Sequence, residues 1–253
     1  MTALAVSFGT STAIFNATYQ AQSRLDALLT NGADVGVFDT SDNPASAHLD
    51  KLGSLAGATA EPMQHRFAYV GSDLQDLFGI DPATLGRATQ LSDAFFNGST
   101  AAQAMAKLAG TPDCVLVSDE TVADFQLSLC DTLNLRLMGA DHQYHAIPFT
   151  FIGVAREFPT APKDSFLFSN AAYVAKMTGN GSAEYVLMRT SGDPVALATR
   201  VRTALPDMQV QDITHVTEII GSRSPDPNRN FRKIASGRGL YLFRAASRQA
   251  VLF

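Results

Sequence analysis

Two segments of this chain, 150 residues apart, read alike, and the match limits the architecture more than any other feature. Val35-Gly-Val-Phe-Asp-Thr-Ser-Asp-Asn-Pro44 is echoed by Tyr185-Val-Leu-Met-Arg-Thr-Ser-Gly-Asp-Pro194, with Thr40, Ser41 and Pro44 falling on Thr190, Ser191 and Pro194. In each copy an apolar strand meets a Thr-Ser turn, and a proline then opens a helix, where its missing N–H does no harm. The predicted helices are Pro44–Leu55, with Leu49, Leu52 and Leu55 on one face, and Pro194–Leu205, with Leu197, Val201 and Leu205 on one face. Strand candidates follow at Phe67–Val70 and Met208–Ile213. Two β-α-β units of this kind pair into one sheet covered by two helices. Everything between them is then an insertion.

The middle of the insertion has a core pattern of its own. Cys114-Val-Leu-Val-Ser118 reads as a strand, and Asp119–Phe125 as a short helix capped by Ser118, with Thr121 its third residue. Leu127–Leu137 and Phe149–Pro159 alternate apolar and polar residues, the period-2 mark of half-buried strands joined as a hairpin. Around this unit, Asp73–Phe78 reads as a short helix ended by Gly79-Ile-Asp-Pro82. Ala101–Ala109 reads as a helix capped by Ser99 or Thr100 and ended by Gly110, and Leu167–Val174 as a further strand or edge. Gly179-Asn-Gly181 is a turn leading back to the second repeat unit.

The ends differ from the middle. Thr2–Phe15 carries no charge, yet no basic residue precedes it as a secretory signal requires, and it is short of the ~20 residues of a membrane helix. Helix-compatible sequence runs without Gly or Pro from Thr10 to Thr30, and Asn31-Gly32 supplies a stop. Two readings stay open: the amphipathic start of a soluble helix, or the outer end of a membrane helix that becomes water-soluble near Arg24. From Arg223 onward seven Lys or Arg accompany one acid, Asp226, whereas residues 1–222 hold 12 basic and 23 acidic residues. The net charge of −5 argues against a nucleic-acid partner for the chain as a whole. The 222–253 tail reads as a poorly ordered basic extension, because its apolar residues have no clean amphipathic period.

Signals for chemistry are sparse. Of the five histidines only Asp141-His-x-x-His145 forms a cluster, and it falls in a polar hairpin turn with no third ligand. Asp119-Glu120 suits a helix start better than acid–base work, and neither a Gly-x-Ser-x-Gly elbow nor a phosphate-binding glycine loop is present. Catalytic, cofactor-binding and metal-ligating residues are therefore all assigned as none. Cys114 and Cys130 leave two alternatives, a disulfide or two small buried hydrophobes.

In their order along the chain, several motifs resemble the extracytoplasmic domain of ABC-transporter permeases of the FtsX/MacB type. These are Val115–Glu120, the turn Cys130-Asp-Thr-Leu133, Phe149-Thr-Phe-Ile-Gly-Val-Ala-Arg-Glu-Phe-Pro159, the step Gly79-Ile-Asp-Pro82 and the run Thr18–Asp34. Cys130 stands where that family usually has glycine, so a strained or re-shaped turn is expected there. The resemblance covers about residues 10–221. It implies an α+β fold in which a split β-α-β (ferredoxin-like, porter-type) lobe, 34–72 and 184–215, holds a small mixed α/β lobe, 73–183. Residues 1–33 would be a helix forming the outer end of a membrane helix. The implied function is non-catalytic: coupling membrane-helix motion to an outer domain that engages lipid, peptide or protein. A separate ABC ATPase subunit is the partner, reached through the membrane part, and the domain lies outside the cell membrane. With no complete membrane helix, the chain is expected to be a truncated product, its tail arising from a reading-frame change after Ser222. A free-standing secreted or periplasmic binding module is the alternative, and an enzyme with a dispersed site a third reading.

Overall fold

The computed structural model describes residues 2–55 and 57–222; the tail expectation therefore lies outside the described residues. In chain order the elements are α1 (Thr2–Asn31), β1 (Val35–Phe38), a 3-10 turn (Ala45–His48) leading into α2 (Leu49–Gly53), β2 (Ala58–Val70) and β3 (Asp73–Ile80). After two 3-10 turns come β4 (Phe96–Asn97), α3 (Ala101–Gly110), β5 (Cys114–Ser118), α4 (Asp119–Phe125), β6 (Thr132–Met138) and β7 (Tyr144–Ala155). The chain continues with β8 (Phe166–Asn170), α5 (Ala171–Thr178), β9 (Tyr185–Thr190), α6 (Pro194–Ala204), β10 (Gln209–Asp212) and α7 (Ile213–Ser222). The fold is mixed α+β.

The two repeat segments become β1 and β9, side by side and antiparallel at the centre of a sheet ordered β10-β1-β9-β2, in which every neighbouring pair is antiparallel. One face of that sheet buries Val35, Val37, Val186 and Met188 against Ala45, Leu52, Leu197, Ala198 and Val201 of the helical segments. Pro194 sits in the first turn of α6, and the Asp193 side chain accepts from the Val195 N–H as its cap. The first copy is less regular. Instead of one helix over 44–55, Pro44 precedes a 3-10 turn and α2 spans only Leu49–Gly53. Lys51 donates to the Ala204 carbonyl at 2.7 Å, so the short helix is tied to the end of the long one.

Between β2 and β9 the chain builds a closed barrel. β2 pairs with β3, β3 with β8, β8 with β5, β5 with β7, β7 with β6, and β6 again with β2. Six strands thus leave no free edge in the ring. Its interior holds Ala68, Val70, Leu77, Val115, Val117, Leu135, Ile147, Phe149, Phe151 and Leu167. The alternate residues Phe78, Leu116, Phe166 and Phe168 point outward and pack with Met63, Phe158 and Leu187 into a second core between barrel and sheet. The Phe158 and Phe168 rings stack there at 4.3 Å. At 13 residues β2 is long enough to serve both: Ala58–Met63 pairs with β9 and Gln64–Val70 with β3.

Three expectations are corrected by this closure. The strand predicted at Phe67–Val70 begins at Ala58. Asp73–Phe78 is the first part of strand β3, not a helix, although Leu74, Leu77 and Phe78 have helical spacing. Gly71, at φ 60°, turns the chain so that Asp73 pairs with Val70, and continuous pairing with β2 and β8 outweighs the local pattern. The run expected as a strand or edge over 167–174 is interior strand β8 followed by helix α5. There the Asn170 side chain accepts from the Ala172 N–H and starts the helix. Other local expectations match. The Ser118 hydroxyl accepts from the Thr121 N–H, Thr100 and Gln103 form a reciprocal capping box, and Gly32 ends α1 at φ 80°.

Candidate functional site

The described chain enters and leaves this fold at one place. Helix α1 leads into β1, and α7 departs from β10, the antiparallel neighbour of β1, so both helices attach at the same end of the sheet. They lie against each other. Ala27 and Leu28 of α1 pack on Ile213, Val216 and Ile220 of α7, while Tyr19, Gln20 and Ser23 line a cleft of about 160 Å³ with Thr217, Glu218 and Gly221. The pairing of late α1 with early α7, and earlier α1 with late α7, makes the two antiparallel. Beyond Tyr19 the helix α1 continues as far as Thr2, roughly 25 Å at 1.5 Å per residue. Ile14 and Phe15 on that extension are 62% and 68% exposed. No helix among the described residues is long and apolar enough to cross a membrane.

Where α1 joins the sheet, the backbone is held from several directions. The Thr160 N–H donates to the Leu29 carbonyl at 2.7 Å, and the Thr89 hydroxyl donates to the Gly32 carbonyl. The Ile213 N–H donates to the Asp34 carbonyl at 2.9 Å, and Asp34 also accepts from the Thr190 N–H. Buried Asp212 accepts from the His215 N–H, the hydrogen bond of a helix cap, and pairs with Arg202 at 3.4 Å. These links tie the stem of α1 and α7 to the sheet, to the loop after β7 and, through Thr89, to the segment between β3 and β4. A cleft of about 230 Å³ lies beside this joint, between Asp26, Leu29 and Thr30 of α1 and Arg156, Phe158 and Lys163 of the loop.

A second set of polar residues sits where β2 passes from sheet to barrel. Arg66 pairs with Glu184 and donates to the Ser182 carbonyl at 2.6 Å, and Glu184 accepts from the His65 N–H at 2.9 Å. His65 Nε2 lies 2.5 Å from Asp76 on β3, and its ring contacts Phe67, Phe78 and Tyr185. Burial, with the charges of Asp76 and Glu184, raises the Tyr185 phenol above its ordinary value. No motif in the sequence singles out His65 among the five histidines or gives Arg66 and Glu184 a role. The available signal is a Gln64-His-Arg66 break between Pro62-Met63 and the apolar run Phe67–Val70.

The remaining singled-out residues are dispersed. His145, at the start of β7, pairs with Asp141 of the β6–β7 turn at 2.8 Å, with both side chains about half exposed. The Gln143 N–H and then His145 hold the Asp141 carboxyl below its usual value. His48 lies in the first 3-10 turn, His142 in the β6–β7 turn and His215 on α7. Among the described residues no three His, Cys, Asp or Glu side chains are grouped for a metal ion. Asp119 and Glu120 open α4, where Glu120 accepts from Ser165 and Asp119 lies 3.5 Å from Arg156.

The two cysteines are free: Cys114 is buried and Cys130 exposed. They flank β7 on opposite sides, Cys114 paired across to Thr150 and Cys130 donating its N–H to the Phe151 carbonyl. Two strand spacings, about 9.6 Å, separate such positions, beyond the roughly 7 Å that a disulfide spans between Cα atoms. Only Cys114 is the small buried hydrophobe; burial and then Asp113 raise its thiol above the ordinary value. A thiol reagent is therefore expected to modify Cys130 alone in the native chain and Cys114 only after denaturation. Loss of the native signal in Cys130→Ser checks the assignment. Cys130 also has φ 74°, the backbone state that glycine adopts freely. Cys130→Gly is expected to raise stability by about 1 kcal/mol, the left-handed penalty less the added chain entropy, read as a higher denaturant midpoint.

No protein-family profile and no curated protein matches the chain. Solved structures do. The chain is similar to the periplasmic region of MacB from Actinobacillus actinomycetemcomitans, at 14% identity and a TM-score of 0.46, over 76% of this chain and 96% of that one. It is also similar to the extracellular domain of the noncanonic ABC-type transporter YknZ from Gram-positive bacteria, at 14% identity and a TM-score of 0.43, over 71% of this chain and 99% of that one. These neighbours are periplasmic or extracellular domains of ABC-transporter permeases.

Proposed function

We propose that this chain serves as the non-catalytic extracytoplasmic domain of an ABC-transporter permease of the FtsX/MacB type, coupling membrane-helix motion to engagement of a lipid, peptide or protein. The observation that carries the reading is the stem: α1 and α7 run antiparallel and join the sheet at one end. Helices entering and leaving a membrane would arrive in this way. The ordered motifs from Thr18 to Pro159 support the same reading. In this account β10-β1-β9-β2 with α2 and α6 is the split β-α-β lobe, 34–72 and 184–215, and the inserted lobe, 73–183, forms the barrel together with Gln64–Val70, the second half of β2. Displacement of α1 relative to α7 would reach the sheet through the bonds of Asp34, the inserted segment through those of Leu29 with Thr160 and Gly32 with Thr89, and the barrel through β2. A separate ATPase subunit, reached through the membrane part, supplies the motion.

Two measurements on the protein expressed from its own gene test this together. It is expected to sediment with membranes, and its exposed Cys130 to react with a membrane-impermeant maleimide on unlysed spheroplasts. Recovery wholly in the soluble fraction, or labelling only after lysis, would sink the proposal.

A further inference from the structure

The barrel wall carries an apolar strip that nothing within the described fold covers. Phe67, Leu74, Met138 and Tyr144 are each 40–51% exposed although they lie on paired strands. Strand register gathers them. Tyr69 is paired across to Leu74 on one side and to Arg136 on the other, and Met138 is paired to Tyr144. The Ala68–Leu137 pair sets Phe67 beside Met138 at the next step of the ladder. The rings of Tyr69 and Tyr144 meet edge to face at 5.2 Å, so the strip is continuous over β3, β2, β6 and β7. Alternate residues on the same strands, Ala68, Val70, Leu77, Leu135 and Leu137, face the barrel interior. The strip is therefore a second, outward apolar face and not core that failed to close.

At its centre stands a cation. The Arg136 guanidinium lies 4.8 Å above the Tyr69 ring and donates to the Gly71 carbonyl at 3.3 Å. Among the described residues no carboxylate lies within ion-pair distance of it. Tyrosine, phenylalanine, methionine and arginine are the side chains enriched at protein–protein contacts, and a desolvated arginine there calls for an acidic partner. Self-pairing of the strip fits poorly, because a two-fold contact would set Arg136 against its own copy. Lipid fits poorly as well if the stem marks the membrane side, the one point at which the membrane reading enters. Ala60 lies in the sheet row nearest the stem, and Tyr69, nine residues further along β2, is roughly 30 Å away at 3.3 Å per residue.

We infer that this strip docks a segment of another protein, amphipathic and acid-bearing, its apolar face on Phe67, Tyr69, Leu74, Met138 and Tyr144 and a carboxylate on Arg136. The probe is a labelled amphipathic peptide of Leu, Ala and Glu, titrated against the full chain by fluorescence anisotropy. Its counterpart with Lys for Glu, and phosphatidylglycerol vesicles, are run beside it. The acidic peptide is expected to bind about tenfold more tightly than the basic one, and Tyr69→Ala with Arg136→Glu to weaken it about tenfold. Leu74→Ser, at a half-exposed position, is expected to weaken it with the fold intact, and keeps the test valid if the double variant unfolds. Equal binding of both peptides, no binding, or binding unchanged in Leu74→Ser overturns the proposal. So does vesicle binding or self-association that these substitutions abolish while the peptide is ignored.

Discussion

Arg66→Ala is expected to lower the unfolding free energy by about 3–5 kcal/mol. The reason is the partner left behind. Glu184 has a side chain only 7% exposed, and Arg66 is 10% exposed, so removing the guanidinium strands a carboxylate away from water. Glu184 would keep the His65 N–H at 2.9 Å, which cannot offset a full charge. The Ser182 carbonyl would lose its donor as well. Replacing the pair together, Arg66→Met with Glu184→Leu, is expected to recover most of the loss, because it removes both desolvated charges. Urea titrations read both results as shifts of the midpoint at constant slope. Equal losses in single and double variants would show that packing, not charge, holds this crossing.

Gly32→Ala is expected to cost about 3 kcal/mol and to do so at the stem joint. A Cβ there would stand 2.5 Å from Thr160 Cγ2 and 2.9 Å from Leu187 Cδ2, on a backbone already at φ 80°. The left-handed conformation alone costs an L-residue roughly 1–2 kcal/mol, and the overpacking a further 1–3 kcal/mol. Gly57→Ala separates the two contributions. Gly57 has φ 74° but no atom within 4 Å of its added Cβ, so only the conformational part, about 1 kcal/mol, is expected. Thermal melts of the two variants should differ by several degrees. If they fall together, the contacts of Gly32 with Thr160 and Leu187 do not constrain the joint.

The features that sequence reading located are those decided within a few residues. Ser118 before Asp119, a cap at Ser99 or Thr100 before Ala101, and Asn31-Gly32 after a long helical run each follow from an orphaned helix-end group finding a nearby partner. Cys130 is a separate case. There the expectation of glycine comes from the family resemblance rather than from neighbouring residues, and the φ of 74° meets it. What escaped was decided at long range. The barrel closes only because β6 reaches back to β2 and β8 comes to lie beside β3, pairings between residues separated by more than 60 positions. Leu74, Leu77 and Phe78 could have lined a helix, and nothing local says that β8 will claim the other edge of that segment. Arg66 and Glu184 are 118 positions apart, so no window of sequence contains both.

The undivided length of β2 has a mechanical consequence. A strand that belongs to two sheets at once, and is pinned at their crossing by Arg66 and Glu184, cannot bend there without breaking a buried ion pair. On the function proposed above, sheet and barrel would turn as one stiff arm about the stem. From the stem-side row at Ala60 to the tip at Val70 that arm is roughly 33 Å long, so a tilt of about 10° at its base sweeps the far end through about 6 Å. A small rotation at the base would thus be a side-chain-sized displacement at the tip, where Tyr69 and Leu74 stand.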